Sequence, residues 1–120
     1  MASFREDKVN EEVRREVDRI IRDEVNDPRV KGTYAITRAE VTRDLRQAKI
    51  YVSILEDELA DGLFAALTRA AGFIRSVLKK RLTVRYTPEL HFVRDQNISY
   101  GLHISKILKD VLPEDESEDH

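Results

Sequence analysis

Ala48, Ile50, Val52 and Ile54 alternate with Lys49, Tyr51 and Ser53, and this two-residue period constrains the fold more than any other feature of the chain. Successive side chains of a strand point to opposite faces, so the run predicts a strand with one apolar and one polar side. A second strand is expected over Tyr34 to Arg43, rich in Thr, Val and Ile, with Ala35, Thr37, Ala39 and Val41 on one side. The link Asp44-Leu45-Arg46-Gln47 is short enough to make the pair an antiparallel hairpin. An apolar face on such a hairpin must be covered by helices.

The flanking segments carry the helical period. Val9, Val13, Val17, Ile20, Ile21 and Val25 recur at steps of three and four, the stripe of an amphipathic helix. Asn26-Asp27-Pro28 ends it, because proline disfavours helical geometry in the residue before it. Glu56, Asp57 and Glu58 place negative charge where a helix N-terminus favours it, and Leu59, Leu63, Leu67 and Ala70 line one side of the helix begun there. The period continues beyond Gly72, with Phe73, Ile74, Val77 and Leu78 turned inward. Glycine inside a helix costs ~1 kcal/mol against alanine, so two helices meeting at Ala70-Ala71-Gly72 are expected. Leu90 and Phe92 mark a third strand after Pro88, with Val93 on its other face, and Ile98 to Leu112 reads as a last helix.

The expected fold class is therefore α+β, in the order α-β-β-α-α-β-α, with a three-stranded sheet covered by helices on one face. Residues 1–112 form one domain, and residues 113–120 form an acidic tail expected to be disordered. The 120 residues include no cysteine, which excludes disulfides and thiolate metal sites. No run approaches the ~20 apolar residues of a membrane span, and Met1 to Asp7 holds no signal-like segment, so a cytoplasmic location is expected.

Catalytic patterns are missing from the sequence. His91, His103 and His120 make no metal-ligand pair, and Ser53, Ser76 and Ser105 stand in regular elements without a nucleophile-elbow pattern. The four glycines are isolated, so no phosphate loop occurs. The expectation is a binding module with no enzymatic activity and no cofactor.

Charge indicates what such a module binds. The tail Glu114-Asp115-Glu116-Ser117-Glu118-Asp119-His120 holds five acids, and removing it leaves 21 basic against 18 acidic residues, a net of +3. Between Arg69 and Arg94 stand seven cations (Arg69, Arg75, Lys79, Lys80, Arg81, Arg85, Arg94) and one acid, Glu89. Gly72, Arg75, Ser76 and Lys79 are spaced i, i+3, i+4 and i+7, so they share one helix face opposite the apolar one. A helix starting there would add free N–H groups and a positive dipole end, which suit phosphate. Arg81 falls in the middle of the apolar face, which predicts a helix end near Lys80.

Four stretches resemble one bacterial family, ribosome-binding factor A. They are Asn26-Asp27-Pro28-Arg29-Val30, Asp44-Leu45-Arg46-Gln47-Ala48-Lys49-Ile50-Tyr51-Val52-Ser53, Ala70-Ala71-Gly72-Phe73-Ile74-Arg75-Ser76 and Thr87-Pro88-Glu89-Leu90-His91-Phe92. The resemblance spans residues 5–112 and implies a type II KH-like domain, with Ala70-Ala71-Gly72 as the family's Ala-x-Gly kink in place of the Gly-x-x-Gly loop by which KH domains clamp a nucleic-acid backbone. It further implies a factor for the immature small (30S) ribosomal subunit that assists late 16S rRNA processing and maturation, notably in the cold. The expected RNA contacts are Arg69, Ala70, Ala71, Gly72, Arg75, Ser76, Lys79, Lys80, Arg81, Arg85, Arg94 and Lys49. The expected partners are the small subunit and its rRNA, with no membrane, and the chain is expected to be monomeric off the ribosome. A different class, a protein-interaction adaptor that docks through the hairpin edge or first helix without RNA, is the alternative reading. It has no need of cations aligned around Gly72.

Overall fold

The alternating run forms the central strand of a three-stranded sheet. Strand β1 (Tyr34–Val41) pairs antiparallel with β2 (Gln47–Ile54), and β3 (Glu89–Arg94) lies parallel to β2 on its other edge. Helix α1 (Phe4–Glu24) precedes the hairpin, and helix α2 (Asp57–Arg81) makes the crossover from β2 to β3. This computed structural model describes residues 4–82 and 86–96; the expected last helix and the acidic tail lie outside them.

Ala48, Ile50, Val52 and Ile54 are fully buried, as their alternation requires. Above them α1 contributes Val13, Val17, Ile20 and Ile21, all buried, with Val9 and Val25 packed at the edges. Helix α1 packs chiefly on β1, α2 on β3, and the two helices on each other. Removing these side chains from water drives the assembly, at about 1.5–3 kcal/mol for each fully buried aliphatic side chain.

Strand β1 departs from the simple alternation. Its register slips between Ile36 and Arg38, a β-bulge at Thr37. Ile36 therefore takes the inward position expected of Ala35 and Thr37, while beyond the bulge Ala39 and Val41 face the core as expected. The Thr37 hydroxyl donates to Asp95 Oδ2 at 2.7 Å, just beyond β3. An extra residue breaks a two-residue period, and only the pairing partner shows where.

The two expected central helices are one. Helix α2 runs unbroken for 25 residues through Ala70-Ala71-Gly72, so the element order over the described residues is α-β-β-α-β. Leu63, Leu67, Ile74 and Leu78 are buried on both sides of Gly72, and their anchorage outweighs the ~1 kcal/mol that the glycine costs. Gly72 itself faces outward, with nothing within 4 Å of where a Cβ would stand. Phe73, expected to point inward, is 47% exposed, because Ile74 and Leu78 take the centre of the buried face.

The helix also continues one residue past the expected end, to Arg81. Arg81 escapes the apolar face by reaching across to α1, with Nη2 on Glu24 Oε2 at 2.7 Å and Nη1 on Glu16 Oε1 at 3.3 Å. The loop entering β1 is held more tightly. Asp27 accepts a fork from Arg29 Nε and Nη2, which holds its carboxyl down to about 2. Gly32 has a φ of +100°, and Glu56 at the start of α2 accepts from Thr33 N at 2.7 Å and Thr33 Oγ1 at 2.9 Å. These two donors, the backbone N–H first, hold the Glu56 carboxyl below its usual range.

Candidate nucleic-acid interface

Because α2 crosses from β2 to β3, its second half faces the hairpin turn and the segment entering β3. Between them lies a cleft of about 800 Å³, lined by Arg46, Gln47, Gly72, Arg75, Ser76, Lys79, Tyr86, Thr87 and Glu89. All four residues that share the outward helix face, Gly72, Arg75, Ser76 and Lys79, are in its wall. Three cations against one carboxylate give the lining a net charge of +2. A concave, cationic, solvent-facing surface attracts phosphate more strongly than the same charges on a convex one.

Hydrogen bonds hold the wall in shape. Arg75 donates Nε and Nη2 to the carbonyl of Thr87 at 3.1 and 3.0 Å, tying α2 to the segment before β3. Glu89 N donates to Arg46 O at 2.8 Å, tying that segment to the hairpin turn. Within the turn, Asp44 accepts from Thr42 Oγ1 at 2.7 Å and from Arg46 N at 3.0 Å. The guanidinium of Arg46 stands over the Tyr86 ring, 5.0 Å from its centroid. At the strand end, Gln47 Nε2 donates to Glu89 Oε1 at 3.3 Å, and His91 Nε2 lies 2.6 Å from Gln47 Oε1.

The other expected contacts are dispersed. Arg69 and Ala70 line a second, smaller groove of about 310 Å³ beside the end of α1, together with the exposed Phe73. Ala71 is half-buried on α2, and Lys80 is exposed near its end. Arg81 is engaged with Glu16 and Glu24, and Arg94 Nη2 donates to Asp57 Oδ1 at 2.6 Å and to Ile54 O at 3.1 Å. Lys49 is exposed on the side of β2 opposite Ala48 and Ile50. Arg85 lies outside the described residues.

The continuity of α2 changes how phosphate could be held. At Gly72 there is no helix start, so the backbone N–H groups there belong to the helix ladder and are not offered to a ligand. Phosphate contacts at this face fall to the side chains of Arg46, Arg75, Ser76 and Lys79. Replacing Gly72 by alanine is accordingly expected to raise stability by about 0.5–1 kcal/mol, since the site is helical, open and outward-facing. Thermal denaturation measures this directly; a fall in Tm would mean that the backbone at Gly72 is not helical.

Arg46, Gln47, Tyr86, Thr87 and Glu89 were not legible as site residues in the sequence. Arg46 and Gln47 read as a turn, and Tyr86 stands in a stretch without a period. The one available signal is the Arg85-Tyr86 pair ahead of Pro88, which is weak without knowing that the turn lies alongside.

Fold and cleft together define a small α+β module that presents one cationic, aromatic-edged cleft to a ligand. The chain belongs to the ribosome-binding factor A family, whose model matches residues 5–108. It is 44% identical over 112 residues to ribosome-binding factor A of Clostridium novyi, covering 92% of this chain and 93% of that one. Among solved structures, a Thermotoga maritima protein described as a ribosome binding factor A is 28% identical, with a TM-score of 0.69 over 82% of this chain and 93% of that one. A homology model of the Thermus thermophilus ribosome binding factor A, fitted into a cryo-EM map of a 30S complex with that factor, shares the fold at 24% identity and a TM-score of 0.58, covering 70% of this chain and 88% of that one.

Proposed function

We propose that this chain is a non-catalytic, cytoplasmic assembly factor that binds the immature small (30S) ribosomal subunit through its rRNA. It assists late 16S rRNA processing and maturation, notably in the cold, and is monomeric off the ribosome. The observation that carries the reading is the convergence of Arg46, Arg75 and Lys79, from two separate parts of the chain, on one cleft. Charges on a solvated helix face have no reason to meet others across a groove. The relative fitted into a 30S map supports the choice of partner. Among the described residues no helix is long and apolar enough to cross a membrane.

The seven cations counted along the sequence would suggest neutralising four to six phosphates, but Arg81 and Arg94 already serve carboxylates. Three to four phosphates remain for the cleft and its rim. The expected log–log slope of affinity against salt is therefore about −2 to −3.5, from roughly 0.7–0.9 per neutralised phosphate. A filter-binding titration on small-subunit rRNA fragments reads the slope, and a value near zero removes the electrostatic basis of the reading. Sedimentation of a lysate tests the partner itself: the protein is expected with small subunits, and its absence from them would favour the adaptor reading.

A further inference from the structure

We propose that the cleft has an occupant of its own, the acidic tail beyond Pro113, which docks against Arg46, Arg75 and Lys79 and must be displaced for RNA to enter. The proposal rests on the RNA-binding reading above for the ligand displaced, and not for the contact itself. Glu114, Asp115, Glu116, Glu118 and Asp119 bring five carboxylates, with no Lys or Arg among residues 113–120. Carboxylate and phosphate oxygens are both anionic acceptors, so a set of Arg and Lys side chains that suits one suits the other. The cleft lining is concave, with a net charge of +2, and its one carboxylate, Glu89, already accepts from Gln47.

Other cations of the fold are less open to the tail. Arg14, Arg22, Arg29 and Arg81 each face a carboxylate already. In the cleft, Arg75 bonds to the Thr87 carbonyl and Arg46 lies over the Tyr86 ring, neutral partners that cancel neither charge. Asp44, in the same turn as Arg46, is engaged by Thr42 and by the Arg46 backbone. Lys79 forms no ion pair among the described residues. The tether is also long enough. Strand β3 leads from Glu89, bonded to Arg46, away from the cleft, and at about 3.3 Å per residue it leaves Gln96 roughly 23 Å distant. Sixteen residues separate Gln96 from Pro113, a length that spans about 20–24 Å as a coil or about 24 Å as a helix. Tethering at that range sets an effective concentration in the millimolar range, so a contact of about 0.1–0.5 mM affinity fills the cleft in most molecules. Every ligand of the cleft then binds about three- to tenfold more weakly. Weakly held RNA is lost, whereas a subunit present far above its dissociation constant stays bound.

The chain has no cysteine, so Ser117→Cys gives one attachment point for a spin label inside the tail. In amide NMR spectra of the full chain at about 50 mM salt, the label is expected to broaden Arg46, Gln47, Arg75 and Lys79, and not Arg15 on α1. The broadening should vanish in about 0.5 M salt, where screening acts within about 4 Å, and in an Arg46→Glu, Lys79→Glu background. A ten-nucleotide RNA of unrelated sequence should release it. A full-length chain with Glu114→Gln, Asp115→Asn, Glu116→Gln, Glu118→Gln and Asp119→Asn should bind that RNA about three- to tenfold more tightly than the parent at low salt. Broadening that is absent, spread evenly over the surface, or retained in the Arg46→Glu, Lys79→Glu background overturns the proposal, whatever the RNA affinities. So does RNA that binds while the label stays on the cleft, since the tail then does not compete. If the label marks the cleft but RNA fails to bind even the chain with the neutral tail, the RNA-binding reading falls and the contact stands.

Discussion

Arg46→Glu combined with Lys79→Glu is expected to abolish cosedimentation with small subunits at physiological salt while the protein melts within about 1 kcal/mol of the parent. Both side chains are exposed on opposite walls of the cleft, so reversing them turns a lining of net +2 into one of net −2. Repulsion then replaces attraction at the point of contact. The stability cost is small because Lys79 makes no described hydrogen bond and Arg46 contributes a surface cation–π contact at 5.0 Å. Arg75 is the less informative partner, although it shares the helix face with Lys79. Its fork onto the Thr87 carbonyl holds the cleft together, so its reversal would mix lost charge with lost shape. Arg15→Glu with Arg22→Glu on α1 changes net charge equally, away from the cleft, and breaks a surface pair of Arg22 with Asp18 that is worth little. Equal loss in both double variants would show that bulk charge alone matters. Retained cosedimentation of the Arg46/Lys79 variant would place the subunit contact elsewhere, with the hairpin edge and first helix next to be mutated.

Gly32→Ala is expected to be the most damaging glycine-to-alanine change among the described residues, at about 2–4 kcal/mol of stability, or a Tm fall of roughly 10 °C or more. Two independent costs add there. The φ of +100° is a conformation that side chains with a Cβ rarely adopt. The added carbon would also stand 2.9 Å from Leu59 Cδ1 and 3.0 Å from Glu56 Oε1. Relieving the second contact displaces the carboxylate that accepts both Thr33 donors, at the junction of β1 and α2. Chemical denaturation of the purified chain measures the loss. The same substitution at Gly72 is expected to stabilise, so the two glycines separate backbone necessity from helix propensity within one fold. A Gly32→Ala variant as stable as the parent would mean that the loop before β1 adopts another conformation.

Side-chain periodicity determined the core of this protein without help. A period of two at Ala48–Ile54 and of three to four at Val13–Ile21 and Leu63–Leu78 each has one geometric solution, and the structure buries those residues. The α+β class is a consequence, because a one-faced sheet needs helices over it. Where the sequence misled, the signal was local and the deciding energy was not. Gly72 looked like a break, but buried Leu67 and Ile74 on either side hold the helix through it. Thr37 looked like part of an alternation, but pairing with β2 required a bulge.

The helix half of the cleft was equally legible, since Gly72, Arg75, Ser76 and Lys79 share a face by spacing alone. The other half was decided only by tertiary structure. Arg46 and Gln47 stand about forty residues from Tyr86 and Glu89, and it is the parallel pairing of β2 with β3, Gln47 opposite Glu89, that sets them side by side. The same packing withdrew Arg81 and Arg94 from the basic cluster by giving them carboxylates to pair with. Charge count is a property of the chain, whereas which charges remain available to a partner depends on what folding places beside them.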